Sequence, residues 1–217
     1  MIKEALSSNN FNSDECAVGK FEELVNLTLK WSKSINITAH RDPETIIYKD
    51  IVDNLYLSDF ISNYSRLDSA SPNSIGIDMG SGAGFSGLVL MIANPQVSMA
   101  FLESDRKKIN YTKEVCRKLL LSKADFIHAR AESNPDLFKE KFHFSITRAT
   151  WPLERYLKYG QYYVQNYGHS FYMSAKRLKN TNQLGQEYQG FADDEKYFYK
   201  IEPKGYERSI FSFKKVA

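Results

Sequence analysis

Asp78 ends a short apolar run, Ile75-Gly76-Ile77, and opens directly into Met79-Gly80-Ser81-Gly82-Ala83-Gly84-Phe85-Ser86-Gly87. Leu88 to Ala93 then continue as an apolar helical segment. This is a strand, a glycine-dense turn and a helix, and glycine lets backbone N–H groups approach a ligand closely and take up positive φ. In a dinucleotide site the strand stays apolar up to the first glycine, and the pyrophosphate sits on the helix N-terminus. Here a carboxylate precedes the turn. It would repel a diphosphate and attract an ammonium or sulfonium group, so the expected ligand is S-adenosylmethionine.

Other chemistry-bearing residues fall at the ends of further apolar runs. Glu103 closes Val97-Ser98-Met99-Ala100-Phe101-Leu102, about 20 residues past the glycines, where an acid can accept both hydroxyls of a ribose. Ala131 and Glu132 follow a third run and are placed to read the edge of an adenine through a backbone amide and a side chain. Arg148 directly follows Phe142-His143-Phe144-Ser145-Ile146-Thr147. In a doubly wound sheet all four positions share the carboxyl edge of the strands, the edge at which such folds bind ligands. Each has a plainer alternative: Asp78 as a cap of the turn, Glu103 as a cap of the helix near 105, Arg148 as an ion-pair partner. Nicotinamide is the competing cofactor, since Gly82-Ala83-Gly84-Phe85-Ser86-Gly87 also fits G-x-G-x-x-G. A lone match of that kind is weak, and Asp78 counts against it.

The elements that must position these residues alternate. Strands are expected near 74–79, 97–103, 124–128, 142–147 and 169–174, and helices near 84–93, 105–121 and 152–165. Alternation of this kind builds right-handed βαβ units and an α/β fold with a parallel sheet covered on both faces. Tyr197–Glu202 and Ser209–Val216, joined through Pro203-Lys204-Gly205, add a late hairpin that closes the sheet antiparallel. Before the sheet, residues 1–13 read as loosely ordered. An amphipathic helix spans about 14–33, with Phe21, Leu24, Val25, Thr28 and Leu29 on one face. Asp42-Pro43-Glu44 starts another helix, carrying the stripe Ile47, Ile51, Leu55. Residues 62–73 have linker composition. The chain divides into a helical extension, 1–73, packed on a core, 74–217.

The 217 residues carry 42% hydrophobic and 14% aromatic residues, enough for a full core. No apolar run reaches the roughly 18–20 residues of a membrane span. Cys16 and Cys116 lack metal or redox spacing and read as reduced thiols, which places the protein in the cytoplasm. His40, His128, His143 and His169 show no metal spacing, and no metal is expected. The formal net charge of +3 does not by itself announce nucleic acid. Local basic clusters at Arg106-Lys107-Lys108, Arg117-Lys118, Lys176-Arg177 and Lys214-Lys215 are each more often solvated faces than phosphate sites.

Segments beyond the glycine turn carry a sharper likeness. Trp31-Ser32-Lys33-Ser34-Ile35-Asn36-Ile37-Thr38, Arg41-Asp42-Pro43-Glu44 and Asp53-Asn54-Leu55 precede Asp78 to Gly87. Glu103-Ser104 with Lys107-Lys108, Arg130-Ala131-Glu132 and Arg148-Ala149 follow it. In these motifs, spread over about residues 21–176, the sequence resembles the ribosomal RNA small subunit methyltransferase G family, also called glucose-inhibited division protein B. The resemblance implies a class I S-adenosylmethionine-dependent methyltransferase (Rossmann-like) fold and methylation of N7 of a guanine in small-subunit ribosomal RNA. It implies cofactor contacts at Gly80, Phe85, Ala131, Glu132 and Arg148, added to Asp78, Gly82, Gly84 and Glu103 above. It also implies substrate contacts at Arg41, Lys107 and Lys176, with ribosomal RNA or the small subunit as partner and a monomeric enzyme. The sequence departs from the family pattern at Asp50, where histidine is usual, at Asn54 (serine) and at Ser86 (proline). Near the fifth strand a Lys-Gly pair is usual, and Met173-Ser174-Ala175-Lys176 stands here.

Guanine N7 has an in-plane lone pair and no proton, so attack on a sulfonium methyl needs alignment rather than a general base. No catalytic dyad stands out, and none is assigned. Two other readings stay open: a methyltransferase of a small molecule or protein, and a non-catalytic relative that binds RNA or the ribosome.

Overall fold

Buried apolar runs become the inner strands, and amphipathic runs become the helices that cover them. The computed structural model describes residues 1–63, 74–133, 136–148, 150–174 and 190–216. The strands are β1 Ile75–Met79, β2 Ser98–Glu103, β3 Ala124–His128, β4 Phe142–Arg148, β5 Val164–Ser174, β6 Phe191–Ile201 and β7 Tyr206–Lys215. They form one seven-stranded sheet in the order β3-β2-β1-β4-β5-β7-β6. Neighbours from β3 to β5 are parallel, and β7 runs antiparallel to both β5 and β6. The order reverses between β1 and β4, so the crevice of this doubly wound sheet opens at the carboxyl ends of those two strands.

The helices are α1 Ile2–Ser8, α2 Glu15–Trp31, α3 Pro43–Ile46, α4 Asp53–Asn63, α5 Phe85–Ala93, α6 Arg106–Lys118 and α7 Leu153–Tyr163, with a π-helical turn, Ile47–Val52, between α3 and α4. One face of the sheet packs against α2, α4, α5 and α6 through Phe21, Leu24, Leu88, Phe101, Ile109 and Phe144. The other packs against α7 through Ile77, Leu102, Tyr156, Leu157 and Phe213. Asp14 caps α2 by accepting from Ala17 N, and Asp42 caps α3 by accepting from Thr45 N. Both caps satisfy amides that a helix start leaves without partners.

The structure corrects three expectations. Residues 1–13 are not loosely ordered throughout: α1 buries Ile2, Ala5 and Leu6, and Asn9 donates to Ala5 O and Glu202 O. That apolar pattern spans under two turns, too short to distinguish from chance, and it is tertiary packing that fixes it. The fifth strand starts at Val164, directly after α7, not at 169. The sixth starts at Phe191, not near 197, because Asp193, Asp194 and Glu195 gave it the polarity of a loop, and its register shifts between Asp193 and Lys196. The expected linker lies outside the described residues from 64 to 73. No helix among the described residues is long and apolar enough to cross a membrane.

Candidate functional site

The turn after β1 is built from left-handed backbone: φ is 63° at Gly80, 57° at Gly82 and 74° at Gly84. Gly84 is the residue before the first turn of α5, and a Cβ there would stand 2.9 Å from Thr112 Cγ2. No side chain fits that closeness and that φ. Gly82 differs: a Cβ built on it meets nothing within 4 Å. The sequence keeps that position bare although the protein itself leaves it room. Ser81 Oγ beside it is buried and has no hydrogen-bond partner among the described residues.

Two cavities meet at this turn. One, of about 150 Å³, is lined by Asp78, Ser81, Gly82, Phe85 and Arg148, with Ile37 and Thr38 supplied by the loop after α2. The other, of about 180 Å³, is lined by Leu102, Glu103, Ala131, Glu132, Trp151 and Arg155. Gly80 and Thr150 border both, and Thr150 Oγ1 donates to Gly80 O at 3.1 Å across the β1–β4 crevice. Joined there, they reach the size of a typical cofactor cleft, about 300–1,000 Å³. A larger cavity, about 400 Å³, lies between Phe11–Lys20, α4 and the end of α5, at Ala93-Asn94-Pro95, where the chain enters β2. That is the opposite edge of the sheet, and its lining includes none of the expected cofactor or substrate contacts.

The residues fit S-adenosylmethionine. Burial pushes the Asp78 carboxyl up to about 7, the Gly87 amide and Arg148 pull it down, and Glu103 adds to the rise. Its Oδ2 accepts from Gly87 N at 3.1 Å. A cation bound alongside would favour the ionised form. Glu103 ties turn to helix, since Oε2 accepts from Gly82 N at 2.9 Å and Oε1 from Asp105 N at 2.8 Å. A carboxylate offers about four acceptor sites, so Glu103 retains capacity for ribose hydroxyls, and the helix cap considered for it above falls instead to Asp105, whose side chain accepts from Lys107 N. Ala131 is buried, and Tyr163 Oη donates to its carbonyl at 3.0 Å, which fixes the wall next to Glu132.

Arg148 lies at the bottom of a charge cluster that the sequence did not disclose. Its Nη1 donates to Lys49 O at 2.6 Å and its Nη2 to Asp50 Oδ1 at 2.5 Å, with Asp53 Oδ2 at 3.8 Å from Nη1. Asp50 is fully buried, and its Oδ2 lies 2.7 Å from His40 Nδ1. Asp53 accepts from Tyr199 Oη at 2.6 Å and faces Arg208 Nε at 3.6 Å. Burial opposes the charge of Arg148, and Asp50 and Asp53 outweigh it, so its pKa stays above the ordinary arginine value. The π-helical turn supplies Asp50 and leads into Asp53, a common use of such turns at functional sites.

Not every expected site residue enters the cleft. Gly84 supports it from behind. Arg41 is exposed and holds the 32–41 loop by donating to Ser32 O at 3.0 Å and Asn36 Oδ1 at 2.8 Å. Lys107 is exposed on the first turn of α6, and Lys176 lies outside the described residues. Ile37, Thr38 and Thr150 were not assigned beforehand. Thr38 and Ile37 sit in one of the quoted motifs, so a signal existed for them. Among the described residues no group of three or more His, Cys, Asp or Glu could hold a metal ion. Cys116 is buried, and burial pushes its thiol up to about 12, which keeps it protonated.

Asp78 also makes a prediction about pH. Its folded pKa lies above the unfolded value, 3.8, so the folded state holds a proton that the unfolded chain releases. Its contribution to stability is fully present below pH 4 and is lost as pH rises to about 7. Asp78→Asn lacks that term and should gain on the parent by roughly 2–4 kcal/mol between pH 4 and 8. Urea midpoints of both proteins across that range measure it. A difference that stays flat, or that grows toward acid, would contradict the burial argument.

Comparison with known proteins agrees with this geometry. Among solved structures, an S-adenosylmethionine (SAM)-dependent methyltransferase from Aquifex aeolicus superposes with a TM-score of 0.57 at 15% identity, covering 81% of this chain and 94% of that one, a likeness of fold. The ribosomal RNA small subunit methyltransferase G of Caldanaerobacter subterraneus is 29% identical over 84% of this chain and 74% of its own length. The protein of the same name from Lachnoclostridium phytofermentans is 29% identical over 98% of this chain and 87% of its own. The family model described as rRNA small subunit methyltransferase G matches residues 17–209. With that match spanning most of its length, the chain belongs to the rRNA small subunit methyltransferase G family.

Proposed function

We propose that the protein transfers a methyl group from S-adenosylmethionine to N7 of a guanine in small-subunit ribosomal RNA. The observation that carries this reading is the joined cleft at the β1–β4 crevice. There the buried Asp78, the bare Gly82 and Ser81 Oγ, which has no hydrogen-bond partner among the described residues, meet Glu103 and Ala131-Glu132 across Gly80. Bound there, S-adenosylmethionine supplies an electrophilic methyl on a sulfonium centre. In this reading Asp78 favours its positive charge, Glu103 accepts from the ribose, Ala131 and Glu132 border the adenine, and Arg148 attracts a carboxylate. Arg41, Lys107 and Lys176 are the proposed substrate contacts.

No side chain in the cleft is arranged as a nucleophile, and N7 needs none. The protein's contribution is alignment, and holding two reactants in line removes an entropic barrier of about 7–11 kcal/mol at best. Trp151, packed at 5.8 Å from the Tyr159 ring on the cleft wall, offers an aromatic face to an incoming base. The reading takes the enzyme to be a cytoplasmic monomer, built as an extension over 1–73 on a core over 74–217. Ribosomal RNA lacking the mark should gain one N7-methylguanosine when incubated with the protein and radiolabelled S-adenosylmethionine. The expected result is one labelled nucleotide per small-subunit RNA. Cofactor binding with no label in RNA would favour the small-molecule or protein substrate, and no cofactor binding at all would remove the enzyme reading.

A further inference from the structure

Helix α6 begins beside Glu103 at the cleft and runs back along the outside of the molecule. At 100° per residue, Arg106, Asn110, Lys113 and Arg117 share one stripe, and all four are exposed. The stripe extends about 16 Å at 1.5 Å per residue. Lys107 and Lys118 flank it, both exposed, and Lys30 in the last turn of α2 lies close enough to act on Glu114. Glu114 is the acid of α6, and Arg117 engages it at 2.7 and 2.8 Å. Among the described residues Arg106, Lys107, Lys108, Lys113 and Lys118 form no ion pair. Lys113 instead lies over the Phe126 ring at 5.5 Å, and Leu120, just past the helix, is 83% exposed.

Two basic residues elsewhere at this edge of the sheet have carboxylate partners. Lys204 pairs with Glu44 at 2.7 Å, and Arg208 faces Asp53. A cationic face left without countercharges costs self-repulsion unless a polyanion covers it. This one starts at the mouth of the cleft, so it continues the path of whatever enters there. We propose that the outer face of α6, from Arg106 to Lys118, is the track on which the phosphate backbone of the substrate RNA lies while its target base reaches the cleft. The inference rests on the RNA methyltransferase reading and adds to it where the RNA docks.

The test is the salt dependence of binding to small-subunit ribosomal RNA, measured by filter retention across potassium chloride concentrations. The triple substitution Lys113→Gln, Arg117→Gln, Lys118→Gln should lower the slope of log affinity against log salt by about 2–3, since each lost phosphate contact removes roughly 0.7–0.9. Affinity near physiological salt should fall tens-fold, while calorimetric S-adenosylmethionine affinity holds. A control triple on the other side of the sheet, Lys139→Gln, Lys141→Gln, Lys158→Gln, removes equal charge and should keep the parental slope. Lys113→Arg with Lys118→Arg should also keep it. An α6 triple with the parental slope, or a control triple that loses as much, overturns the track and leaves the methyltransferase reading standing. A parent that binds this RNA without salt dependence overturns the track as well. Loss of cofactor binding by the parent would instead bring down the reading beneath it.

Discussion

Gly82→Asp should abolish measurable S-adenosylmethionine binding, lowering affinity at least 100-fold, in a protein that still folds. Two effects combine. The backbone at Gly82 has φ of 57°, and forcing a side-chain residue to keep it costs about 1–2 kcal/mol. The protein can absorb that cost, because the Cβ meets no atom within 4 Å and no packing is broken. The space it enters is the cleft beside Asp78 and Ser81, so the carboxylate stands where the ligand must lie. Gly82→Ala separates the two effects, since it carries the strain with only a methyl group in the cleft, and it should lose far less affinity. Calorimetry on parent, Ala and Asp variants gives the order. If the Asp variant binds like the parent, the turn is not the ligand's cradle.

The same turn shows what a sequence discloses. The positions of Asp78, Gly80, Gly82 and Glu103 were legible because they follow a local rule: the chain leaves a parallel strand, bends on glycine and enters a helix. The parallel sheet and the antiparallel hairpin that closes it followed from the alternation of strands and helices in the same way. Asp50 and Arg148 were each visible, one as a departure from the family pattern and the other as a strand-end cation. Their pairing across 98 residues was not, because no local periodicity encodes a contact that the π-helical turn creates. Ile37 and Thr38 reached the cleft by the same long route, on a loop that Arg41 pins from within. Charge was least legible of all. Net charge stayed near neutral while α6 collected its cations on one face, and only the helix phase and the pairing of neighbours separate that face from an ordinary solvated surface.

The Asp50–Arg148 pair carries the second large effect. Arg148→Ala should destabilise the protein by about 3–5 kcal/mol, because it leaves the Asp50 and Asp53 carboxylates buried with fewer partners. This reverses the expectation, natural for a strand-end arginine, that activity would suffer more than folding. Asp50→Ala should cost a similar amount by leaving the guanidinium with Lys49 O and a distant Asp53. Arg148→Met combined with Asp50→Asn and Asp53→Asn removes all three charges at near-constant volume, and should regain most of the lost stability. Its cofactor affinity should stay low, because the guanidinium that lines the cleft is still missing. Stability and affinity thus part company in the triple variant, and chemical denaturation beside calorimetry measures both. If Arg148→Ala melts with the parent, the pair is no anchor of the fold. If the triple variant regains cofactor binding together with stability, Arg148 serves the fold alone and the carboxylate contact belongs elsewhere.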